Sequence, residues 1–392
     1  PKESYEMMKK RIEYDYQKLR DEYQDGLGTV PQLHVLMHAN TGSFGNNDRV
    51  SAINEKWIKD LFTINFNREG YALNDRKSSI YDLTRMQPQA YWYPNHLLMR
   101  IKYDINEDIV FNRGDEARYS LWDVREGAAE FQPEKIVLTS LPEKRGLMYL
   151  QKSEEFKNLN VALRLTGNKL GMQKIYLRAD QKLARYVGVS INNNMLFVSE
   201  KTNNGVKELL KLDLDRFDGK ERVSVAEDKR NAEVRELEAF AKYADSPELA
   251  QQYFAQSKEK GTEPTATIEQ GEKEYTPNIS VHEKGKRQLR IELIDDNIRV
   301  SVDDKEAFAG TVTDLDAGSV ALESAWGGYG WSQRNLADDV YDGVFEKLII
   351  KEAPTAEKEN ILYSDKLGGF EAFKHQAKRI WNSVINWFIV HL

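Results

Sequence analysis

Between residues 119 and 352 apolar and polar residues alternate along one stretch after another, which is the period-two signature of half-buried β-strands. The pattern predicts strands at 122–124, 127–131, 136–140, 147–151, 160–166, 173–178, 185–191, 194–200 and 206–214. It resumes at 279–283, 287–294, 297–303, 306–313, 319–325 and 343–351. Asn192 to Asn194 reads as the turn of a hairpin. Residues 222–259 break the alternation: Val234, Leu237, Phe240 and Ala241 fit one helical face, and Ser246-Pro247 reads as a cap followed by a first-turn proline. This predicts a helical hairpin inserted into one antiparallel β-sandwich, because neither flank has enough strands to bury a sandwich alone.

The first 118 residues have a different rhythm. Met8, Ile12, Tyr16, Leu19 and Tyr23 recur at helical spacing over 4–24, and Asp25-Gly26 and Gly28 stop that helix. A short apolar strand is expected at 33–37, a helix at 49–63, strands at 70–73 and 81–86, and a helix from Pro94 through Ile101. Helix, strand, helix, strand, strand, helix is α/β layering, with chemistry expected on the loops at strand ends. The tail, 353–392, starts polar and ends in an amphipathic stripe of Phe370, Phe373, Ala377, Trp381, Val384, Ile385 and Phe388. None of its windows reaches the roughly 18–20 apolar residues of a bilayer span. A helix packed on the body and a helix lying on a membrane surface are both open readings of 370–392.

The expected fold class is therefore α+β and multidomain. A partial α/β, β/α-barrel-like segment (1–118) precedes an antiparallel jelly-roll sandwich with a helical insertion (119–352), and an amphipathic tail closes the chain (353–392).

Composition narrows the function. A net charge of −7 argues against a nucleic-acid partner, which calls for a basic face. The absence of cysteine removes disulfides, thiolate catalysis and sulfur metal sites, and suits an extracellular or cell-surface location, with membrane association through the tail. The chain shows no Ser-His-Asp elbow, phosphate loop or dinucleotide fingerprint.

Two candidate sites remain. Glu323-Ser324-Ala325-Trp326-Gly327-Gly328-Tyr329-Gly330-Trp331 combines aromatic rings with glycines. Sugars present apolar C–H faces that stack on Trp and Tyr, so Glu323, Trp326, Tyr329 and Trp331 are the carbohydrate-binding candidates and a polysaccharide the expected partner. The same rings could instead cap the end of the sandwich. In the α/β part, His38 and Asn40 lie at a strand end beside a polar loop, and Arg85 ends a later strand; these are the catalytic candidates. A loop histidine and a structural ion pair are the plainer readings. Asp303-Asp304 and Asp338-Asp339 are considered as calcium ligands, but no glycine-spaced ligand run accompanies them.

Residues 119–352 resemble concanavalin-like, laminin-G-type jelly rolls. The likeness rests on Trp122-Asp123-Val124-x-x-Gly127, Phe156-Lys157-Asn158-Leu159-Asn160-Val161, Ile298-Arg299-Val300-Ser301-Val302-Asp303-Asp304-Lys305 and Asp339-Val340-Tyr341-Asp342-Gly343. Residues 4–102 resemble the C-terminal half of a polysaccharide deacetylase. Arg11-Ile12-x-x-Asp15 is followed by the strand from Leu33 to His38, then by Leu83-Thr84-Arg85-Met86 and the helix 95–101. That resemblance implies a divalent metal, zinc or similar, held by an Asp and two His, with a second Asp as base. Their motifs do not occur in this sequence and would lie upstream of Pro1. The expectation is a cell-envelope, deacetylase-like chain that begins inside a longer protein, holds no cofactor itself and is inactive alone. The alternative is a non-catalytic carbohydrate-binding surface protein.

Overall fold

The structure is a computed structural model that describes residues 4–36, 44, 48–67, 74–85, 88, 91–105, 108–219, 284–313, 315–327, 340–353 and 360–366, together with 377, 381 and 385. Its N-terminal part opens with helix α1 (Tyr5–Leu27), capped by the Ser4 hydroxyl and ended by Gly28 in the left-handed region. Strand β1 (Leu33–Val35), helix α2 (Asp48–Leu61) and strand β2 (Ile64–Phe66) follow. The two strands pair in parallel, so β1-α2-β2 is a crossover unit. Tyr16, Phe44, Ile58 and Phe62 form its core, and Tyr16 stacks on Trp57. Of the expected α/β layering, the described residues show this one crossover. A strand at 81–86 is not formed; Leu83 makes a single parallel bridge to Phe66, beside a strand the alternation pattern missed. The expected strand 70–73 lies outside the described residues, and nothing in the described ones closes a β/α barrel. Helix α3 (Pro94–Ile105) and the short helix α4 (Glu116–Tyr119) lead into the sandwich.

All but the last of the sandwich strands appear where alternation put them, with ends shifted by a few residues; the last is an addition in what was expected to be the start of the tail. They are β3 (Trp122–Glu126), β4 (Ala128–Gln132), β5 (Lys135–Thr139), β6 (Arg145–Leu150), β7 (Leu159–Leu165), β8 (Gly171–Ala179), β9 (Tyr186–Asn192), β10 (Met195–Thr202) and β11 (Gly205–Asp213). After helix α5 (Leu214–Phe217) come β12 (Arg287–Ile294), β13 (Asn297–Val302), β14 (Lys305–Thr311), β15 (Ser319–Trp326), β16 (Asp342–Glu352) and β17 (Asn360–Ser364). They build two antiparallel sheets, in the orders β11-β10-β9-β8-β15-β6-β3 and β14-β13-β12-β7-β16-β5-β4, with β17 pairing onto β16. Strands from both sides of the expected insertion thus share one body: β15 sits between β8 and β6, and β12 pairs with β7. The insertion itself, 222–259, lies outside the described residues, as does the expected strand 279–283. Of the tail stripe, only Ala377, Trp381 and Ile385 are described; they are helical and exposed. No helix among the described residues is long and apolar enough to cross a membrane.

One large core joins the sheets, with Ile136, Leu138, Leu163, Ile175, Val189, Leu196, Ile291, Val300, Leu322 and Phe345 among its members. Gly127 carries the chain from the first sheet to the second in a single residue, with φ +83°; a Cβ there would sit 2.2 Å from the Thr139 carbonyl oxygen. Strands β4, β5, β6, β8 and β15 are buried almost continuously, on both faces. In the second sheet the outer side is covered near β4 by α3, where Met99 packs with Ala128 and Val340. In the first it is covered by Leu147, Tyr149, Tyr176, Leu183 and Tyr186.

Candidate functional site

At one end of the sandwich, beside the start of α3, residues distant in sequence surround a cleft of about 380 Å³, counting the part open to solvent. Three segments build it. The first is Tyr91-Trp92-Tyr93, where Pro94 starts α3 one residue later and brings in His96. The second is the Thr166-Gly167-Asn168 turn after β7, bridged to Lys284. The third is the end of β15 with the start of β16: Trp326, Val340, Tyr341, Asp342 and Val344.

Asp342 organises the floor. Its Oδ1 accepts from the Thr139 hydroxyl at 2.7 Å; its Oδ2 accepts from the Tyr93 backbone N–H at 3.1 Å and faces His96 Nδ1 at 2.9 Å. His96 stacks on Trp92 with centroids 4.2 Å apart and planes at 13°. The imidazole is buried, and its Nε2 has no hydrogen-bond partner among the described residues. Trp326 donates its indole N–H to the Val340 carbonyl at 2.9 Å and meets Tyr341 edge-on at 5.2 Å. Tyr341 in turn donates to the Asn168 carbonyl at 3.0 Å; full burial pushes its phenol well above the usual tyrosine range, so the donor persists. Gly171 makes room for that ring, since a Cβ there would fall 1.8 Å from it. The ammonium groups of Lys135 and Lys284 lie 5.0 and 5.9 Å from the centre of the Tyr93 ring. Burial raises the Tyr93 phenol, with the Asp342 charge adding to it, and burial lowers Lys135. The result is a concave site with half-exposed aromatic walls, a few convergent polar groups and a rigid imidazole, the general make-up of a small-molecule site.

The four carbohydrate candidates are not one surface. Trp326 lines the cleft, but Glu323 is on the opposite face of β15, because residues an odd number apart on a strand point to opposite sides. Glu323 is 7 % exposed and accepts from the Tyr176 hydroxyl at 2.8 Å and from Arg145 at 3.2 Å. Arg145 also donates to Glu126 at 2.7 Å, and these carboxylates hold its guanidinium more firmly charged than usual. The Lys174 ammonium lies over the rings of Tyr176 and Tyr186, and burial pulls it below the usual lysine range, with Glu323 opposing. Burial, and then Glu323, raise the Tyr176 phenol. Here every group is occupied and the rings are covered, so this face offers no stacking platform. Tyr329 and Trp331 lie outside the described residues, as do the catalytic candidates His38 and Asn40.

Arg85 is half-buried just past the Leu83 bridge, with its Nε unpartnered among the described residues, and does not line the cleft. His34, four residues before His38, bonds across the parallel pair to Asn65 at 2.7 Å and packs on Phe62. Of the calcium candidates, Asp303 and Asp304 form the positive-φ turn between β13 and β14 and are paired with Arg287 and Arg290, while Asp338 and Asp339 lie outside the described residues. Among the described residues no group of three or more His, Asp or Glu is placed to hold a metal. The cleft residues Tyr91, Tyr93, His96, Asn168, Lys284 and Asp342 escaped the sequence reading. The aromatic run ahead of Pro94 was a legible signal; the pairing of His96 with Asp342, 246 positions away, was not.

No family model matches the chain, and no curated protein matches it. Among solved structures it is similar to a carbohydrate-binding module, CBM66, from Bacillus subtilis, with 11 % identity over 59 % of this chain and 96 % of that one, TM-score 0.34. It is similar to a prokaryotic β-1,3-1,4-glucanase (lichenase) derived from a mouse hindgut metagenome, with 10 % identity over 58 % and 90 %, TM-score 0.32. It is also similar to domains LG4-5 of the mouse laminin α1 chain, with 12 % identity over 65 % of this chain and half of that one, TM-score 0.26. Scores this low carry no functional argument, and the sandwich rests on its own strand pairing.

Proposed function

We propose that the protein is a non-catalytic carbohydrate-binding protein and that the end cleft is its binding site. The observation that carries this is the lining: the half-exposed rings of Tyr91, Tyr93 and Trp326 stand around Thr166, Asn168, Lys284 and the Asp342–His96 pair. Aromatic faces stack on the C–H side of a sugar ring, while a few fixed polar groups read its hydroxyls.

The deacetylase-like reading has no comparable support. Two of its three candidate residues lie outside the described residues, and Arg85 stands apart from the cleft.

The test is retention of the purified chain on a glycan array, followed by titration of the best ligand against Tyr91→Ala. Losing one stacked ring should weaken binding about five- to tenfold, on the order of 1 kcal/mol, while the melting temperature barely moves. If the wild-type chain retains no glycan, or Tyr91→Ala binds as tightly as wild type, the assignment of the cleft is wrong.

A further inference from the structure

Two ammonium groups meet at the Tyr93 end of the cleft. Lys135 opens β5, and its neighbours across the sheet are Glu346 on β16 and then Arg164 on β7. The three share the outer face, opposite Ile136, Phe345 and Leu165 of the core. Glu346 gives its carboxylate elsewhere: it accepts from Arg164 Nε at 2.7 Å and from the Thr166 hydroxyl at 3.0 Å. The other carboxylates near Tyr93 also have their own donors. Asp342 takes the Thr139 hydroxyl and the Tyr93 N–H and faces His96, and the buried Glu130 accepts from the Gln132 amide at 2.8 Å. Lys284 is exposed and is held beside the cleft by its bridge to Asn168. Among the described residues neither Lys135 nor Lys284 has a carboxylate partner; what they share is the Tyr93 ring, 5.0 and 5.9 Å from the two ammonium groups. A tyrosine face is a weak partner for one cation, and here two draw on it. Burial lowers Lys135, with the Lys284 charge acting in the same direction and the Glu346 charge opposing. A half-buried ammonium beside a like charge gains from an arriving anion, which offsets both the lost hydration and the repulsion.

We infer that Lys135 and Lys284 hold the acidic group of the ligand, a carboxylate or a sulfate, and that the cleft therefore takes an acidic sugar. This rests on the carbohydrate reading of the same cleft. Tyr91 and Trp326 take the apolar face of the sugar, and the Tyr93 end takes its exocyclic acid. Lysine suits that task, because its ammonium is a point charge with three donors on a flexible stem and adapts to an anion of either shape. In a chain of net charge −7, a local pair of uncompensated cations marks where an anion is drawn in and not repelled.

Calorimetric titration of the full chain at one fixed ionic strength tests this. The panel holds matched neutral, uronic-acid and sulfated oligosaccharides, each run against wild type, Lys284→Gln and Lys135→Gln. The wild type should bind a uronate or a sulfated sugar on the order of tenfold tighter than its neutral counterpart, and the tighter acidic arm identifies the anion. In both variants the ratio of acidic to neutral affinity should fall toward one. Lys284 is exposed, so Lys284→Gln should keep the wild-type melting temperature, and it carries the test even if Lys135→Gln fails to fold. A merely structural role for the lysines would weaken neutral and acidic sugars alike and leave the ratio unchanged. That result overturns the acid assignment, as does a wild type that binds neutral sugars as tightly as acidic ones, and in both cases the carbohydrate reading stands. Failure of the wild type to bind any member of the panel overturns both.

Discussion

Trp326 has two roles at once, and this decides how its substitution should be read. Its ring lines the cleft, while its N–H bonds the Val340 carbonyl and its edge supports Tyr341. Loss of binding in a truncation at this position would not by itself separate stacking from packing. Asp115 caps α4: its carboxylate accepts from the Arg118 backbone N–H at 3.0 Å and pairs with the Arg118 guanidinium at 3.3 Å. The backbone bond holds Asp115 below the usual carboxylate range, with the Arg118 charge helping. A depressed folded-state value stabilises the fold above the unfolded value near 4, and the contribution disappears as pH falls through the folded one. Asp115→Ala should therefore cost about 1 kcal/mol at pH 7, and the gap to wild type should narrow at a pH well below the unfolded value. Urea unfolding at both pH values measures it, and a pH-independent gap would refute the assignment.

Among elements, the β3–β4 corner is the sharpest device in the sandwich, because one residue moves the chain between sheets. Gly127 and Gly205 both have positive φ, at +83° and +112°, yet only Gly127 is crowded; around Gly205 a Cβ meets nothing within 4 Å. Gly205→Ala should lose roughly 1 kcal/mol of backbone conformational energy. Gly127→Ala adds a collision with the Thr139 carbonyl and should lose at least about 3 kcal/mol or fail to fold. Equal melting temperatures for the two variants would show that the corner relaxes freely. Element by element, most sandwich strands were legible in the alternation of the chain. The misses were short. β2 has three residues, too few for a period to register, and β17 follows a polar stretch that read as the start of a tail.

For the whole molecule, the His96–Asp342 contact joins the region before the sandwich to β16 across 246 positions. Removing the carboxylate strands three donors at once: the Thr139 hydroxyl, the Tyr93 N–H and the His96 Nδ1–H. Asp342→Ala should destabilise the protein by at least about 3 kcal/mol and expose the bonds around Tyr91 to Tyr93 to protease. A loss under about 1 kcal/mol with an unchanged digestion pattern would show that α3 is held by its apolar side alone. The sequence by itself determined the antiparallel sandwich and its two-residue period, because those follow from which side chains must leave water locally. It also marked Trp326 as a residue of interest. Only the tertiary structure decided that Glu323 turns away from Trp326 into a closed cluster, that α3 covers one sheet, and that His96 meets Asp342 beside the aromatic walls. Those outcomes depend on which faces of distant elements come together, and no local pattern in the chain encodes that.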